Sequence, residues 1–168
     1  MAVQHSPNDI YQRFIELEDK AADIYLRFAS RFSSENRELS AFWLEMAMEE
    51  KQHAVLLRFC QAEKWFAPNL PTQNEIRKFA VLFRNLEKLA GKRDLSRSDA
   101  FAIAAELEGS EVNAIYGHLT TPLHASPYLL KKKMAASPFD HGTQLIAAAK
   151  KFSVPVAAFK KLDSLKVS

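Results

Sequence analysis

Cysteine is almost absent from this chain of 168 residues, in which Cys60 is the single example. One thiol cannot form an internal disulfide framework, and it cannot supply a zinc or iron site made of four thiolates. The longest apolar runs, such as residues 79–83 and 100–105, are far too short to span a membrane. The first nine residues also lack the apolar segment of a signal peptide. These absences predict a cytoplasmic protein that does not enter a membrane.

The composition is that of an ordinary globular protein, with 48% hydrophobic and 26% charged residues. We therefore expect residues 1–168 to form one helical domain with its own core. The net charge is +3, and residues 120–168 carry eight lysines against Asp140 and Asp163. No basic motif with interleaved aromatic residues accompanies these lysines, so they indicate a solvated face rather than a nucleic-acid site. The role of this basic region stays open.

Apolar residues recur with the period of an α-helix through most of the chain. The pattern predicts one helix over residues 8–33 and a second over residues 39–65. An amphipathic helix over residues 72–90 leads to a plausible stop at Gly91. We expect this helix to form the long crossover that joins two helical hairpins. Ser96 with Asp99 resembles a capping box and predicts a helix from there to about residue 119.

Prolines interrupt the last third of the chain. Ser126-Pro127, Ser137-Pro138 and Ser153 with Pro155 each resemble a helix start, with a capping serine and a proline in or near the first turn. The predicted fold is therefore an all-α bundle with a long crossover and a proline-interrupted C-terminal helical region.

Several acidic side chains fall on the predicted inward faces of these helices. They are Glu18, Glu50, Glu108 and Glu111, and His53 shares a face with Glu50. Ionised carboxylates are rarely buried unless they are paired or bind a metal, because losing hydration is costly. No lysine or arginine shares the central turns of those faces. A bound cation would supply the missing positive charge.

The spacing of Glu50 and His53 suits one metal ion, because residues three apart on a helix lie about 60° and roughly 4.5 Å from each other. Glu108 and Glu111 repeat this spacing with two carboxylates. Glu49 competes with Glu50 for the ligand position, since it lies four residues before His53. The Glu-x-x-His pattern alone is a weak signal, because it occurs by chance on many solvated helices.

The combination of three such helices is more specific. The first carries Glu18-x-x-Ala21-x-x-x-Tyr25, the second Glu50-x-x-His53-Ala54, and the third Glu108-x-x-Glu111 followed by Tyr116. This order resembles rubrerythrin and its relatives among the ferritin-like four-helix bundles, over roughly residues 8–119. The resemblance implies a pair of metal ions bridged by carboxylates, with iron expected first and manganese or zinc as alternatives. It implies the ligands Glu18, Glu50, His53, Glu108, Glu111 and His141, with Tyr25 and Tyr116 hydrogen-bonded to ligating carboxylates.

The fourth helix departs from the family pattern. His141 is in place, with Leu145 four residues later, but Pro138 stands where the family has a glutamate. Asp140 is adjacent to His141 and would point about 100° away on a helix. One metal position is therefore expected to be weakly held or empty.

The resemblance also implies an activity, namely reduction of hydrogen peroxide, or reaction with oxygen, at a reduced metal pair. The rubredoxin-type iron site of full-length rubrerythrins needs four cysteines, so electrons would come from a separate donor protein. We expect a homodimer. Two rival functions stay open from the sequence, iron handling without a peroxidase cycle and a metal-impaired bundle that acts as an interaction protein.

Overall fold

The computed structural model describes residues 6–110, 118–120 and 141–155. These residues form five helices and no strand, so the all-α prediction is confirmed. The helices are α1 (Pro7–Phe32), α2 (Arg37–Ala62), α3 (Gln73–Ala90), α4 (Arg97–Glu108) and α5 (His141–Lys151). None of the helices in these ranges combines the length and apolar character that a membrane crossing needs.

The first four helices begin at polar capping residues. Asn36 caps α2, where its side chain accepts a hydrogen bond of 2.9 Å from the Leu39 N–H. The other three starts are reciprocal capping boxes, in which each partner satisfies a free backbone N–H of the other. These pairs are Ser6 with Asp9 (α1), Thr72 with Glu75 (α3) and Ser96 with Asp99 (α4).

Helices α1 and α2 form an antiparallel hairpin. Near the turn, the Ser40 hydroxyl donates a hydrogen bond of 2.8 Å to the Ala29 carbonyl. At the open end, the Gln61 amide reaches the carbonyl of Asn8 at 3.1 Å. Contacts therefore run along the full length of the pair, and its inner face carries the polar cluster described below.

An aromatic cluster joins α4 to this hairpin. The Trp43 ring stacks on Tyr25 with centroids 5.8 Å apart, and it contacts Phe28 at 5.1 Å and Phe101 at 4.8 Å. Trp43, Tyr25, Phe28 and Phe101 are all fully buried. Large aromatic side chains contribute much buried apolar area, so this cluster fixes α4 against α1 and α2 beside the site.

Helix α3 returns the chain to the end of the hairpin where α1 and α2 are joined, as the crossover prediction requires. It runs in the same direction as α1, because Phe14 contacts Phe79 (centroids 6.0 Å apart) and Lys20 pairs with Glu87 at 3.4 Å. Helix α4 then starts near the hairpin turn, where the Arg97 guanidinium lies 3.8 Å from the Glu35 carboxylate.

Helices α4 and α5 complete the packing around α2. Phe101 of α4 lies beside Trp43 of α2, and seven residues later on each helix Glu108 lies in one group with Glu50, so these two helices run in the same direction. Helix α5 runs the opposite way along α2, since His141 at its start contacts Glu49 and Lys151 at its end pairs with Glu38 at 3.0 Å. Helices α1 and α5 thus share one direction, and α2 and α4 the other.

The prediction of one helix from Ser96 to residue 119 is wrong, because α4 ends at Glu108. Gly109 follows, and glycine is a poor helix former. The Ser110 hydroxyl also donates a hydrogen bond of 2.6 Å to the Leu107 carbonyl, which competes with continuation of the helix. Glu108 is therefore the last residue of a helix, where the sequence pattern had placed it mid-helix.

The prediction for α2 is also too long, since the helix ends at Ala62 rather than Trp65. Lys64 adopts a left-handed conformation with φ of 57°, and the Trp65 N–H bonds back to the Cys60 carbonyl at 2.9 Å. Ser153 ends α5 in the same way, with φ of 55°. The helix starts predicted at residues 126–127 and 137–138, and any helix after Pro155, lie outside the described residues.

Candidate metal centre

Five of the predicted ligands lie together in the core. Glu18 comes from α1, Glu50 and His53 from α2, Glu108 from the end of α4 and His141 from the start of α5. Each is buried, with at most 5% of its surface exposed. They form two groups that could each hold a metal ion, and the ligand atoms within each group lie within 4.8 Å of one another. The groups are Glu18–Glu50–His53 and Glu50–Glu108–His141.

Glu50 belongs to both groups, and its two oxygen atoms face different partners. Its Oε2 atom lies 3.0 Å from His53 Nδ1, and its Oε1 atom lies 3.4 Å from His141 Nδ1. The two imidazole rings stand on either side, with centroids 5.5 Å apart. A carboxylate in this position has the geometry of a bridge between two metal ions.

Glu18 completes the first group. Its Oε2 atom lies 3.6 Å from His53 Nδ1. Its other oxygen, Oε1, is buried and has no hydrogen-bond partner in the described part of the chain. A buried carboxylate oxygen without a partner is unfavourable, so this atom is a free acceptor that a cation would satisfy.

Glu108 completes the second group. Its Oε2 atom lies 2.9 Å from His141 Nδ1, and its Oε1 atom accepts a hydrogen bond from the Tyr25 hydroxyl. Burial of Tyr25 and the nearby Glu108 charge raise the pKa of this phenol well above its usual value. Tyr25 therefore stays a neutral donor that orients Glu108, and its predicted role beside a metal ligand stays a prediction.

Glu49 has a role that the sequence analysis did not assign. It lies 2.6 Å from His141 Nε2, the ring nitrogen that points away from the cluster. Glu49 is itself held by the Gln144 amide at 3.4 Å. The hydrogen bond to His141 lowers the pKa of Glu49, so this carboxylate stays ionised. It points about 100° away from Glu50 around α2, which explains why the inward face alone did not identify it.

The charges within the cluster can balance without any other ion. Burial, together with the nearby Glu50 charge, raises the pKa of Glu18 to about 8. Burial lowers the pKa of His53, but hydrogen bonds to Glu18 and Glu50 outweigh it and raise that pKa to about 9. Burial likewise opposes charge on His141, yet Glu108 and Glu49 raise its pKa well above the usual value.

Protonated histidines can therefore offset the ionised carboxylates. Burial raises the pKa of Glu50, but hydrogen bonds to His141 and His53 lower it to a net value well below normal. A bound cation is therefore not the only source of positive charge for these glutamates, because imidazolium can supply it in the absence of lysine and arginine. Metal ions would have to compete with these protons.

The donor set fits a pair of first-row transition metals. Each group offers two carboxylates and one imidazole, a combination that suits iron, manganese or zinc. Both histidines present Nδ1 to the cluster. The number and identity of the metal ions stay predictions.

The remaining predicted residues fall into two sets. Glu111, Tyr116, Pro138 and Asp140 lie outside the described residues, so their roles as ligands, hydrogen-bond donors or altered positions stay predictions. Cys60 is buried, and burial raises the pKa of its thiol to about 11. A thiol with so high a pKa is unreactive near neutral pH.

Comparison with known proteins adds nothing to this geometry. No protein-family model, no curated protein and no solved structure matches the chain. The resemblance to rubrerythrin therefore rests on the sequence motifs quoted above and stays a prediction.

Proposed function

We propose that this chain is a non-haem di-metal oxidoreductase of the rubrerythrin type, which reduces hydrogen peroxide with electrons from a separate donor protein. The observation that carries the proposal is the position of Glu50. One buried carboxylate is shared by two ligand groups and turns one oxygen toward each.

The directions of the helices support a ferritin-like bundle around this cluster. Helices α1 and α5 run one way, α2 and α4 run the other, and α3 makes the long return between the two pairs. Ferritin-like bundles place inward Glu and Glu-x-x-His ligands on four such helices. In this chain, α1, α2, α4 and α5 each contribute at least one member of the cluster.

The proposed ligands divide between two positions. Glu18 and His53 would hold one ion, Glu108 and His141 would hold the other, and Glu50 would bridge the two. When bound, a reduced iron pair supplies the two electrons and the Lewis acidity that peroxide cleavage needs. The overall reaction consumes one peroxide, two electrons and two protons and yields two waters, so the donor protein must supply two electrons for each peroxide.

Other residues of the chain position these ligands. Tyr25 donates a hydrogen bond to Glu108, which fixes the rotamer of that carboxylate. Glu49 accepts from His141 Nε2, which leaves Nδ1 as the nitrogen that faces the cluster. The aromatic rings of Trp43 and Phe28 pack around Tyr25 and exclude water from this side.

Two measurements test the proposal. Elemental analysis of the chain reconstituted with ferrous iron without oxygen should find two equivalents per chain. The loaded protein should then consume peroxide in proportion to an added reductant. Glu50→Ala should lose both properties, whereas Glu45→Ala, an exposed glutamate on the same helix, should keep them.

The possible outcomes separate the two parts of the proposal. Absence of metal after reconstitution would reject the centre altogether. Two equivalents of iron with no peroxide consumption would retain the centre and reject the enzyme.

A further inference from the structure

The side of α3 that points away from the core is positively charged. Helix α3 packs against α1 and α4, and its buried side chains include Ile76, Phe79 and Phe83. Seven residues on the opposite side of the helix are all exposed to solvent. At 3.6 residues per turn, their side chains lie within about 120° of one another. We call these residues the α3 outer face, namely Asn74, Arg77, Lys78, Val81, Arg84, Asn85 and Lys88.

The four cations of the α3 outer face form no ion pair within the part of the chain that the structure describes. Helix α3 has two carboxylates, and neither belongs to this face. Glu87 pairs with Lys20 of α1 at 3.4 Å, and Glu75 closes the capping box with Thr72. Hydrogen bonds from Thr72 lower the pKa of Glu75, to which Lys78 adds only a longer-range attraction. The face therefore carries four positive charges and no negative one, and such a surface attracts anions.

The composition of the α3 outer face distinguishes between classes of anionic partner. Six of its seven side chains are cations or amides, and Val81 is the apolar exception. The centre of a protein–protein interface is depleted in charged residues such as lysine, whereas interfaces with DNA are polar and strongly positive. A helix that binds a membrane turns an apolar face to the lipid, but the apolar face of α3 is buried in the core. The face therefore favours a nucleic acid over an acidic protein or an anionic membrane.

The shape of the α3 outer face suits duplex DNA. The face extends from Asn74 to Lys88, which is about 21 Å along the helix at a rise of 1.5 Å per residue. The major groove of B-form DNA is about 12 Å wide and accepts an α-helix. The major groove of duplex RNA is too narrow and deep for side chains to enter. Over about 21 Å of its axis a DNA duplex presents roughly 12 phosphates, which is ample for four cations.

We propose that the α3 outer face binds duplex DNA, with α3 along the major groove and its four cations on the phosphates at the groove edges. Phosphate contacts do not depend on the base sequence, so the binding should be largely non-specific. Its dissociation constant should be about 1–100 μM at physiological salt. This activity goes beyond the proposed oxidoreductase and does not depend on it, because no residue of α3 belongs to either ligand group. The metal-free chain should therefore bind DNA as tightly as the metal-loaded chain.

The salt dependence of binding tests the proposed phosphate contacts. Fluorescence anisotropy of a labelled duplex of random sequence, titrated with the full chain, measures the affinity. Each phosphate contact contributes about −0.9 to the slope of log affinity against log salt concentration. Four contacts should give a slope of about −3.6, which is roughly a 150-fold loss of affinity between 50 and 200 mM salt. An affinity that is independent of salt, or no binding even at the lowest salt concentration, would overturn the proposal.

Charge-reversal variants test whether the α3 outer face is the binding surface. Arg77→Glu/Arg84→Glu should weaken binding by at least about tenfold, because it replaces two phosphate contacts with repulsion. Lys64→Glu/Lys150→Glu is the matched control, since it changes the net charge equally at two exposed cations outside α3, and it should keep most of the affinity. Circular dichroism and iron content should be the same as in the wild type for both variants. Equal weakening by the two variants would overturn the proposal, because only the overall charge would then matter.

A milder pair of substitutions gives an independent measure of the same contacts. Arg77→Gln/Arg84→Gln removes two cations without adding negative charge, so the salt slope should change from about −3.6 to about −1.8. Its overall charge is still positive enough for the chain to bind at low salt. An unchanged slope would place the phosphate contacts on another surface and reject the α3 outer face.

Other polyanions test the identity of the partner. Duplex RNA of the same length should bind at least about tenfold more weakly than the DNA, because its major groove excludes the helix. Vesicles that contain phosphatidylserine should not bind the chain at physiological salt. Equal affinity for the two duplexes, or binding to vesicles but not to DNA, would overturn duplex DNA as the partner.

Iron content separates this proposal from the proposed function. A chain that loads two equivalents of iron but does not bind DNA rejects the DNA site alone. A chain that binds DNA through α3 but holds no metal after reconstitution supports the DNA site and rejects the oxidoreductase alone.

Discussion

Glu50 is the residue on which the proposed centre depends. Glu18 and Glu108 each belong to one group of possible ligands, whereas Glu50 belongs to both. Removing Glu18 or Glu108 should therefore affect one metal position, whereas removing Glu50 should affect both.

Glu18→Gln should reduce the bound metal from two equivalents per chain to one, because the group around Glu108 and His141 remains complete. Glu50→Gln should remove both. Elemental analysis after equilibrium dialysis measures the difference. If both variants lose the same amount of metal, Glu50 does not bridge the two positions.

Glu49 affects the proposed metal centre indirectly, through its hydrogen bond to His141. Glu49→Gln keeps the size of the side chain but removes the negative charge that holds the Nε2 proton of His141. Loss of such a carboxylate–histidine contact typically weakens metal binding by about 10–100-fold. Competition with a coloured chelator should show this weakening at one position only.

Glu45→Gln, an exposed substitution on the same helix, serves as the control for Glu49→Gln. A purely structural role of Glu49 would instead lower the melting temperature and leave the relative affinities of the two positions unchanged.

The individual helices carry two features that affect stability apart from the metal. Lys64 ends α2 in a left-handed conformation, with φ of 57°. This conformation costs a residue with a Cβ atom roughly 1–2 kcal/mol, and glycine avoids that cost. Lys64→Gly should therefore increase the free energy of unfolding by about 1 kcal/mol in urea denaturation. Lys92→Gly, also beyond the end of a helix but without positive φ, should give no such increase.

Ion pairs link α1 to α2 through Asp19. Partial burial raises the pKa of this carboxyl, but Lys51 and Arg58 outweigh the effect and lower it below the usual 3.8. Because the folded pKa is the lower one, the pair stabilises the fold above about pH 4. That stabilisation is lost as the pH falls through the folded value.

Asp19→Asn should therefore lower stability at pH 7 and have little effect near pH 2. Asp19 is only partly buried and its partners Lys51 and Arg58 are exposed, so the effect at pH 7 should be about 0.2–1 kcal/mol. Urea denaturation at a series of pH values measures it. Asp23→Asn is the control. Asp23 lies farther from Lys51, at 3.7 Å, so this substitution should lower stability at pH 7 less than Asp19→Asn does. If Asp19→Asn lowers the free energy of unfolding equally at pH 2 and pH 7, Asp19 acts through packing rather than charge.

The helices were largely predictable because their signals are local. Ser96 with Asp99 marked the start of α4, and the inward positions of Glu18, Glu50, His53 and Glu108 followed from periodicity. The stop at Gly109 was missed because one glycine inside a periodic pattern is only a weak signal. Contacts between distant residues were not predictable. Glu49 and His141 are 92 residues apart, and only the packing of α5 on α2 brings them together.

At the scale of the whole molecule, the proposed metal ions should stabilise a fold that we expect to form without them as well. Binding at 100 times the dissociation constant contributes about 2.7 kcal/mol. For a domain of this size, that corresponds to an increase in melting temperature of about 5–10 °C. Thermal melts followed by circular dichroism, with and without a chelator, should show this shift.

The chelated protein should nevertheless keep its helical signal at 25 °C, because His53 and His141 can carry the compensating positive charge. Loss of that signal on chelation would mean that the protons do not balance the buried glutamates. Asp19→Asn should melt at a lower temperature in both conditions, by the same amount, since Asp19 lies outside the cluster.

A cluster that can hold either protons or metal ions would allow folding and metal binding to take place at different times. If the proposed centre binds metal, the chain would fold first and acquire its ions afterwards. Scarcity of metal would then leave a pool of intact, dormant molecules rather than misfolded ones. Restoring the supply would activate that pool without new translation.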